Sequence, residues 1–342
     1  MTTVAAALPL QHTPCPDACT CTGNNKKIDC SNTQLLTVPS EIPQQVSQLS
    51  LNGNALLNVS NGSFSKYKQL THLMLAHNGL REVGPGTFTW QEKLLSLNLS
   101  HNSLSVMDAD MFTGLSHLVV LDASDNEIRE IKDDLCLAMP KLQALYLGGN
   151  KLSVIPGEVP PRSLKFLSNL THLSLAGNKI SKIGGKSLKG LVSLRVLDLS
   201  NNKIKRITPK AFKHTKQLEK LFLNNNQYRK LSKNVFCPSQ HGTTTLKSLS
   251  MGHNPISNIP KACFNNQQSL TKLSIQRAKL VTVEEGAFKG LKKLRFLTLK
   301  NNKLKTLPKN VFDPLSKECR LNLASNPWSC DCRMYDFKKW LK

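Results

Sequence analysis

No run of 18 apolar residues occurs in the 342-residue chain and its mean hydropathy is −0.27, which excludes a membrane-spanning helix within it. Aromatic side chains are scarce, with 4 Tyr and 3 Trp, and no glycine-rich phosphate loop is present. Carboxylates are few: 22 Asp and Glu stand against 46 Lys and Arg, for a net charge of +24. The imbalance is confined to one half. Residues 1–150 carry 9 basic and 13 acidic side chains, net −4, whereas residues 151–342 carry 37 and 9, net +28. Disorder is excluded by the 39% hydrophobic content, enough for a large core. Length alone suggests two domains, a prior that holds only without an internal repeat.

A repeat is present. The pattern L-x-x-L-x-L-x-x-N-x-L places its Asn at 54, 78, 102, 126, 150, 178, 202, 226, 254, 302 and 326, with Ala278 standing in once. The interval is 24 residues except for two of 28, ending at Asn178 and Asn254. Pairs such as Leu73 and Leu75 or Leu197 and Leu199 alternate with period two, so each unit holds a short strand with one buried face. The Asn, two donors and an acceptor on a short stem, suits a buried turn whose backbone groups lack ladder partners. Ten residues later comes a second anchor: Phe64, Phe88, Phe112, Phe212, Phe236, Phe264, Phe288 and Phe312, with Leu188 in one unit and Leu164 in a long one. Cys136 occupies the same position, which reads as a small buried hydrophobe.

This pattern resembles the leucine-rich repeat and implies an α/β repeat solenoid, a curved horseshoe with parallel strands on its concave face. Solenoids need covered ends. Cys15, Cys19, Cys21 and Cys30 near the start, and Cys330 and Cys332 near the finish, fit disulfide-bonded caps in an oxidising compartment better than zinc knuckles, since C-x3-C-x-C-x8-C is too tight at its centre. Residues 15–45 resemble the amino-terminal cysteine-rich cap of extracellular repeat proteins, which implies Cys15–Cys21 and Cys19–Cys30 bridges. Asn326-Pro327-Trp328-Ser329-Cys330-Asp331-Cys332, followed by an amphipathic 334–341, resembles the start of the carboxy-terminal cap, cut short at Lys342. The expected organisation is a signal remnant or added leader over 1–14, a cap over 15–45, twelve repeats over 46–328 and a partial cap over 329–342. Cys237 and Cys263 flank two spine Phe residues, so a cross-unit disulfide and two buried thiols are both open readings; Cys319 has no evident partner. The long units carry breaker-rich insertions at 156–161 and 238–242, functional loops or tolerated slack.

Repeats capped by cysteines at both ends occur in matrix proteins and in Slit-like, Toll-like and variable lymphocyte receptor proteins. The run His253-Asn254-Pro255-Ile256 through Ile259-Pro260, the lapse at Ala278, Glu285-Gly286-Ala287-Phe288 and Asn326-Pro327-Trp328 are most similar to the chondroadherin-like family. That resemblance implies an extracellular protein binding collagen, integrin or sulfated glycosaminoglycan partners.

No residue set supports an enzyme, a metal or a cofactor. His72, His77, His101, His172 and His253 are all expected on the concave face, in separated units and without a second shell. Sequons begin at Asn58, Asn61, Asn98 and Asn169; Asn98 alone would place a glycan inside the bowl. Tyr146, Lys220, Phe222, Lys272, Arg277, Phe296 and Lys300 are expected to form a concave protein-binding surface. Lys151, Lys179, Lys203, Lys279 and Lys303 directly follow the ladder position, with Lys205, Arg206, Arg229 and Lys305 just beyond. Equivalent positions stack at about 4.8 Å, so these cations are expected to form a stripe for a polyanion, a sulfated glycosaminoglycan rather than nucleic acid. The leading reading is a secreted or pericellular matrix-binding protein; the alternative is the ligand-binding ectodomain of a cell-surface receptor in immunity or guidance.

Overall fold

A computed structural model describes residues 14–132, 135–156, 164, 166–231, 233–236 and 244–329. Its centre is a 14-stranded sheet. The first two strands, Thr20–Thr22 and Lys27–Asp29, form an antiparallel hairpin, and twelve parallel strands follow from Gln48–Ser50 to Arg320–Asn322. The twelve units share one register, so Leu49 pairs with Leu73, Leu73 with Leu97, and so on to Leu321. From Leu49 to Leu297 these leucines are buried. Each strand is three residues long, and burial of its central Leu fixes which face looks inward.

Behind the sheet the Phe spine is buried along its length, with Leu164, Leu188 and Cys136 filling the same column. Neighbouring spine rings lie 5.8–6.4 Å apart (Phe64–Phe88, Phe212–Phe236, Phe236–Phe264, Phe288–Phe312). Strands in a sheet lie only about 4.8 Å apart. Units are therefore thicker at the back than at the front, and stacking wedges curves the solenoid with the sheet inside.

The Asn ladder ties each unit to the one before. Asn202 Nδ2 donates to Leu175 O of the preceding unit at 2.8 Å and to Leu199 O of its own at 3.2 Å, while its Oδ1 accepts Ile180 N at 3.0 Å. The same arrangement runs from Asn54, which reaches into the cap through Cys30 O and Leu35 N, to Asn326. Where Ala278 interrupts the column, Ile256 N donates instead to Asn254 O at 2.8 Å, a tight turn set up by Pro255. Asn302 then accepts from both Ala278 N and Leu280 N.

The residue before each ladder position adopts left-handed backbone: Gly53, His77, His101, Asp125, Gly149, Gly177, Asn201, Asn225, His253, Arg277, Asn301 and Ser325 all have φ between 51° and 68°. Glycine costs least there. At Gly149 a Cβ would also meet the Asp125 carboxylate, which would have to turn away.

On the flank that follows this turn, units pair two by two. Four short parallel ladders join Asn58–Val59 to Glu82–Val83, Val106–Met107 to Glu130–Ile131, Lys182–Ile183 to Arg206–Ile207, and Asn258–Ile259 to Thr282–Val283. The units led by Asn150, Asn226 and Asn302 have no such strand among the described residues.

In the cap, Cys15 is joined to Cys21 and Cys19 to Cys30. Cys136 lies in a one-turn helix, Leu135–Ala138. Residues 1–13, the insertions from 157 and from 237, Cys237 itself, and the cap beyond Ser329 with Cys330 and Cys332 lie outside the described residues.

Candidate functional site

Register fixes what the concave face presents. Its first outward column runs Gln48, His72, Ser96, Val120, Ala144, His172, Val196, Lys220, Ser248, Lys272, Phe296 and Arg320. In the second column Tyr146 lies between Asp122 and Ser174, and Phe222 between Asp198 and Ser250. Lys220 and Lys272 are exposed, and Tyr146 and Phe222 half-buried. Phe296 keeps 48% of its surface in solvent, with the Arg320 guanidinium 5.7 Å from its ring centroid. Arg320 thus extends the aromatic-cationic set by one unit, a membership its position just before Leu321 in the repeat already encodes. Lys300 follows the strand Phe296–Thr298 and is half-buried.

Arg277 is placed differently from expectation. It stands in the left-handed turn at φ 51°, beyond the strand Lys272–Ser274, so it belongs to the rim and not to the concave sheet. The same correction applies to His77, His101 and His253, which share that turn; only His72 and His172 face the bowl from strands. The rim histidines are also not isolated. His77 and His101 stack with centroids 4.1 Å apart, and His101 Nε2 lies 3.4 Å from Asp125 Oδ2. Their 24-residue interval, continued to Asp125, was the available signal. Among the described residues no group of three His, Cys, Asp or Glu is placed to hold a metal ion.

Asn98 is half-buried on the concave face between Met74 and Asp122, its Oδ1 accepting Ser100 N at 2.9 Å. Asn58 sits in a flank strand, Asn61 is exposed just beyond it, and Asn169 donates to Pro140 O at 3.0 Å.

Basic residues of the flank fall into two blocks. Lys179 and Lys203 occupy one repeat position in adjacent units, Lys205 and Arg229 the next, and Lys182, Arg206 and Lys230 the next. The unit after them offers Pro255, Ser257 and Asn258 at those positions, and Lys279, Lys303 and Lys305 resume the column. All of these cations are exposed. Lys151 is half-buried and pinned by Glu127, with Nζ 2.8 Å from Oε2; that hydrogen bond holds the Glu127 carboxyl below the usual range.

A second basic set lies elsewhere. Lys186, Lys189, Lys210, Lys213, Lys216, Lys289, Lys292 and Lys293 are exposed in the segments around the spine and leading into the next strand. His214 registers their field: its pKa is lowered by burial first, then by Lys213, Lys189 and Lys216. The positive charge therefore occupies two faces of the carboxy-terminal half. The stripe expected from the repeat register covers one of them.

The structural features have sequence counterparts in known proteins. A family model described as leucine rich repeat matches residues 44–104, 92–152, 155–204, 168–228, 192–240, 244–304 and 268–327. The chain belongs to the leucine-rich repeat family. A chain in the octameric complex of Latrophilin 3, Unc5D and FLRT2, where FLRT2 supplies the leucine-rich repeats, is 25% identical with a TM-score of 0.72, covering 96% of this chain and 89% of that one. An internalin from Listeria monocytogenes is 20% identical with a TM-score of 0.69, over 92% and 85%. This leucine-rich repeat chain thus shares its fold with chains that are 20–25% identical to it.

Proposed function

We propose that this leucine-rich repeat protein is a secreted or pericellular binding scaffold whose carboxy-terminal half engages an anionic matrix or cell-surface partner of the sulfated glycosaminoglycan type. The observation that carries the reading is the alignment of Lys179 with Lys203, of Lys205 with Arg229, and of Arg206 with Lys182 along one flank. A linear polyanion laid across the units led by Asn178, Asn202 and Asn226 meets a cation in each, passes the unit led by Asn254, uncharged at these positions, and meets Lys279 and Lys303 beyond it. Such attraction weakens steeply with salt. The disulfide-bonded cap supports an extracellular setting. Chondroadherin-like matrix proteins remain the finer comparison, through the features around Pro255, Ala278 and Asn326-Pro327-Trp328.

Heparin retention tests it. A variant with Lys179, Lys203, Lys205, Arg206, Lys279 and Lys303 changed to Gln is compared with one in which Lys189, Lys213, Lys216, Lys289, Lys292 and Lys293 are changed. The flank variant should elute at markedly lower salt. Equal elution refutes the flank as the site.

A second reading, the ligand-binding ectodomain of a cell-surface receptor, is favoured by the likeness to a chain of an assembly containing FLRT2, Latrophilin 3 and Unc5D. In that reading the concave residues Tyr146, Lys220, Phe222, Lys272, Phe296 and Lys300 carry protein contact. Substituting Phe222 and Phe296 by Ser should then abolish capture of the partner while leaving heparin retention unchanged.

A further inference from the structure

The flank ladder breaks where its cations are densest. In each paired set the amide three residues past the ladder position donates to the preceding unit: Arg81 N to Leu57 O, Arg129 N to Ser105 O, Lys205 N to Ser181 O, and Val281 N to Ser257 O. A second bond follows, such as Thr208 N to Ile183 O or Glu284 N to Ile259 O. At the unit led by Asn226 the first of these bonds is absent. Among the described residues nothing donates to the carbonyls of Lys205 and Ile207, and the amides of Arg229 and Ser257 have no acceptor. Pro260 has no amide to offer. The strands Arg206–Ile207 and Asn258–Ile259 thus face each other across a full unit that has no strand of its own.

The result is a groove of about 1320 Å³. Two other breaks on the same flank open only about 320 Å³, beside Arg81 and Asp108, and about 430 Å³, beside Val281 and Pro308. The walls of the large groove carry Lys205, Arg206, Arg229 and Lys230, against one carboxylate, Glu284. Asn258 Nδ2 and Lys261 N donate to the two oxygens of Glu284 at 2.8 and 2.7 Å, which fixes that carboxylate in place. The groove's apolar lining is Ile207, Tyr228 and Leu231, all buried, with Pro209 exposed and Pro260 half-buried.

We infer that this groove is a docking site for an extended acidic segment of a partner protein, added along the open edge of the Arg206–Ile207 strand. An extended peptide supplies backbone N–H groups to the Lys205 and Ile207 carbonyls and a carbonyl to the Ser257 amide, as strand addition requires. Alternate side chains then point two ways. One set places carboxylates among the four cations, and the other sets apolar groups against Pro209 and Pro260. A sulfated saccharide satisfies the cations but offers no regular row of amides and no apolar side chains, so the groove's chemistry favours peptide. The site shares Lys205, Arg206 and Arg229 with the proposed polyanion stripe but does not involve Lys179, Lys203 or Lys279.

The test uses a fluorescent octapeptide of alternating Glu and Val as probe, with three comparisons: octa-Glu, the Glu-Val peptide N-methylated at alternate residues, and a heparin hexasaccharide. The alternating peptide should bind the intact protein at least tenfold more tightly than either peptide control. Ser257→Trp fills the groove from an exposed position without changing charge, and should weaken the Glu-Val peptide at least tenfold while leaving heparin retention as it was. Arg229→Gln with Lys230→Gln should weaken it similarly, with circular dichroism and thermal midpoint confirming an intact fold. Equal binding of octa-Glu or of the N-methylated peptide overturns the proposal, as does indifference to Ser257→Trp. A hexasaccharide that binds and is lost in Ser257→Trp, with no peptide binding, makes the groove a saccharide seat and overturns it too.

Discussion

Asn202 Nδ2 reaches across a whole repeat to the carbonyl of Leu175, 2.8 Å away and 27 residues earlier in the chain. One side chain thereby joins two strands, two turns and two units. Asn202→Ala leaves the buried Ile180 amide without an acceptor, at about 1–3 kcal/mol, and takes one donor from the carbonyls of Leu175 and Leu199, which keep those of Asn178 and Asn226. Its total cost should be several times that of Lys203→Ala on the adjacent exposed position. Urea unfolding of both variants checks this. Equal midpoints would show that the ladder contributes little.

The cap prediction is local. Cys30 is fully buried, its amide donates to Ser50 O at 2.8 Å, and its carbonyl accepts from Asn54 Nδ2. Replacing Cys19 and Cys30 by Ser removes the bridge that anchors this junction, at about 2–4 kcal/mol. Hydrogen exchange should quicken first at Leu49 and Leu51 and stay unchanged at Leu249 and Leu273. Uniform acceleration along the chain would contradict a cap acting on its nearest units.

Acid dependence should centre on Glu219. Lys247 donates to its Oε2 at 2.9 Å and Arg195 to its Oε1 at 3.0 Å, and the hydrogen bond from Lys247 is the main cause holding the carboxyl below its ordinary value of 4.5. A lowered folded-state pKa means stability fully present above pH 4.5 and lost as pH falls through the folded value. The thermal midpoint of wild type should exceed that of Glu219→Gln at neutral pH, with the gap closing below that point. A gap that stays constant down to pH 2 would assign the difference to something other than ionisation.

Burial pushes the Cys136 thiol up to about 12. At pH 8 the reactive thiolate is therefore a negligible fraction. Iodoacetamide mapping should find Cys136 unmodified in the native protein and fully labelled after denaturation. Native labelling would show that this spine position opens.

Much of this architecture was legible in the sequence because one-dimensional repetition transmits phase. A single Asn interval places Leu73, Phe88 and Cys136 inside and Lys220 and Phe296 outside, and the structure agrees at each. Turn conformation was less legible. Alternation predicts that Arg277, His77 and His101 continue the strand face, but the three-residue strand ends first, and the left-handed residue that follows turns them to the rim. The pairwise grouping of flank ladders depends on which amides find acceptors, something that Arg229 and Arg129, at one repeat position, do not reveal by identity. Charge was half legible: the excess in the carboxy-terminal half is plain from counting, while its division between the flank and the Lys189–Lys213–Lys216 face needs the folded backbone.

Lysine footprinting tests the central claim most directly. The protein is acetylated with and without a heparin dodecasaccharide, and each lysine's modification is read by mass spectrometry. The account requires protection of Lys179, Lys203, Lys205 and Lys230, with Lys189, Lys213, Lys216, Lys292 and Lys293 modified as in the free protein. Protection of that second set, or equal protection of all, would contradict a binding flank and leave the positive charge without an organised site.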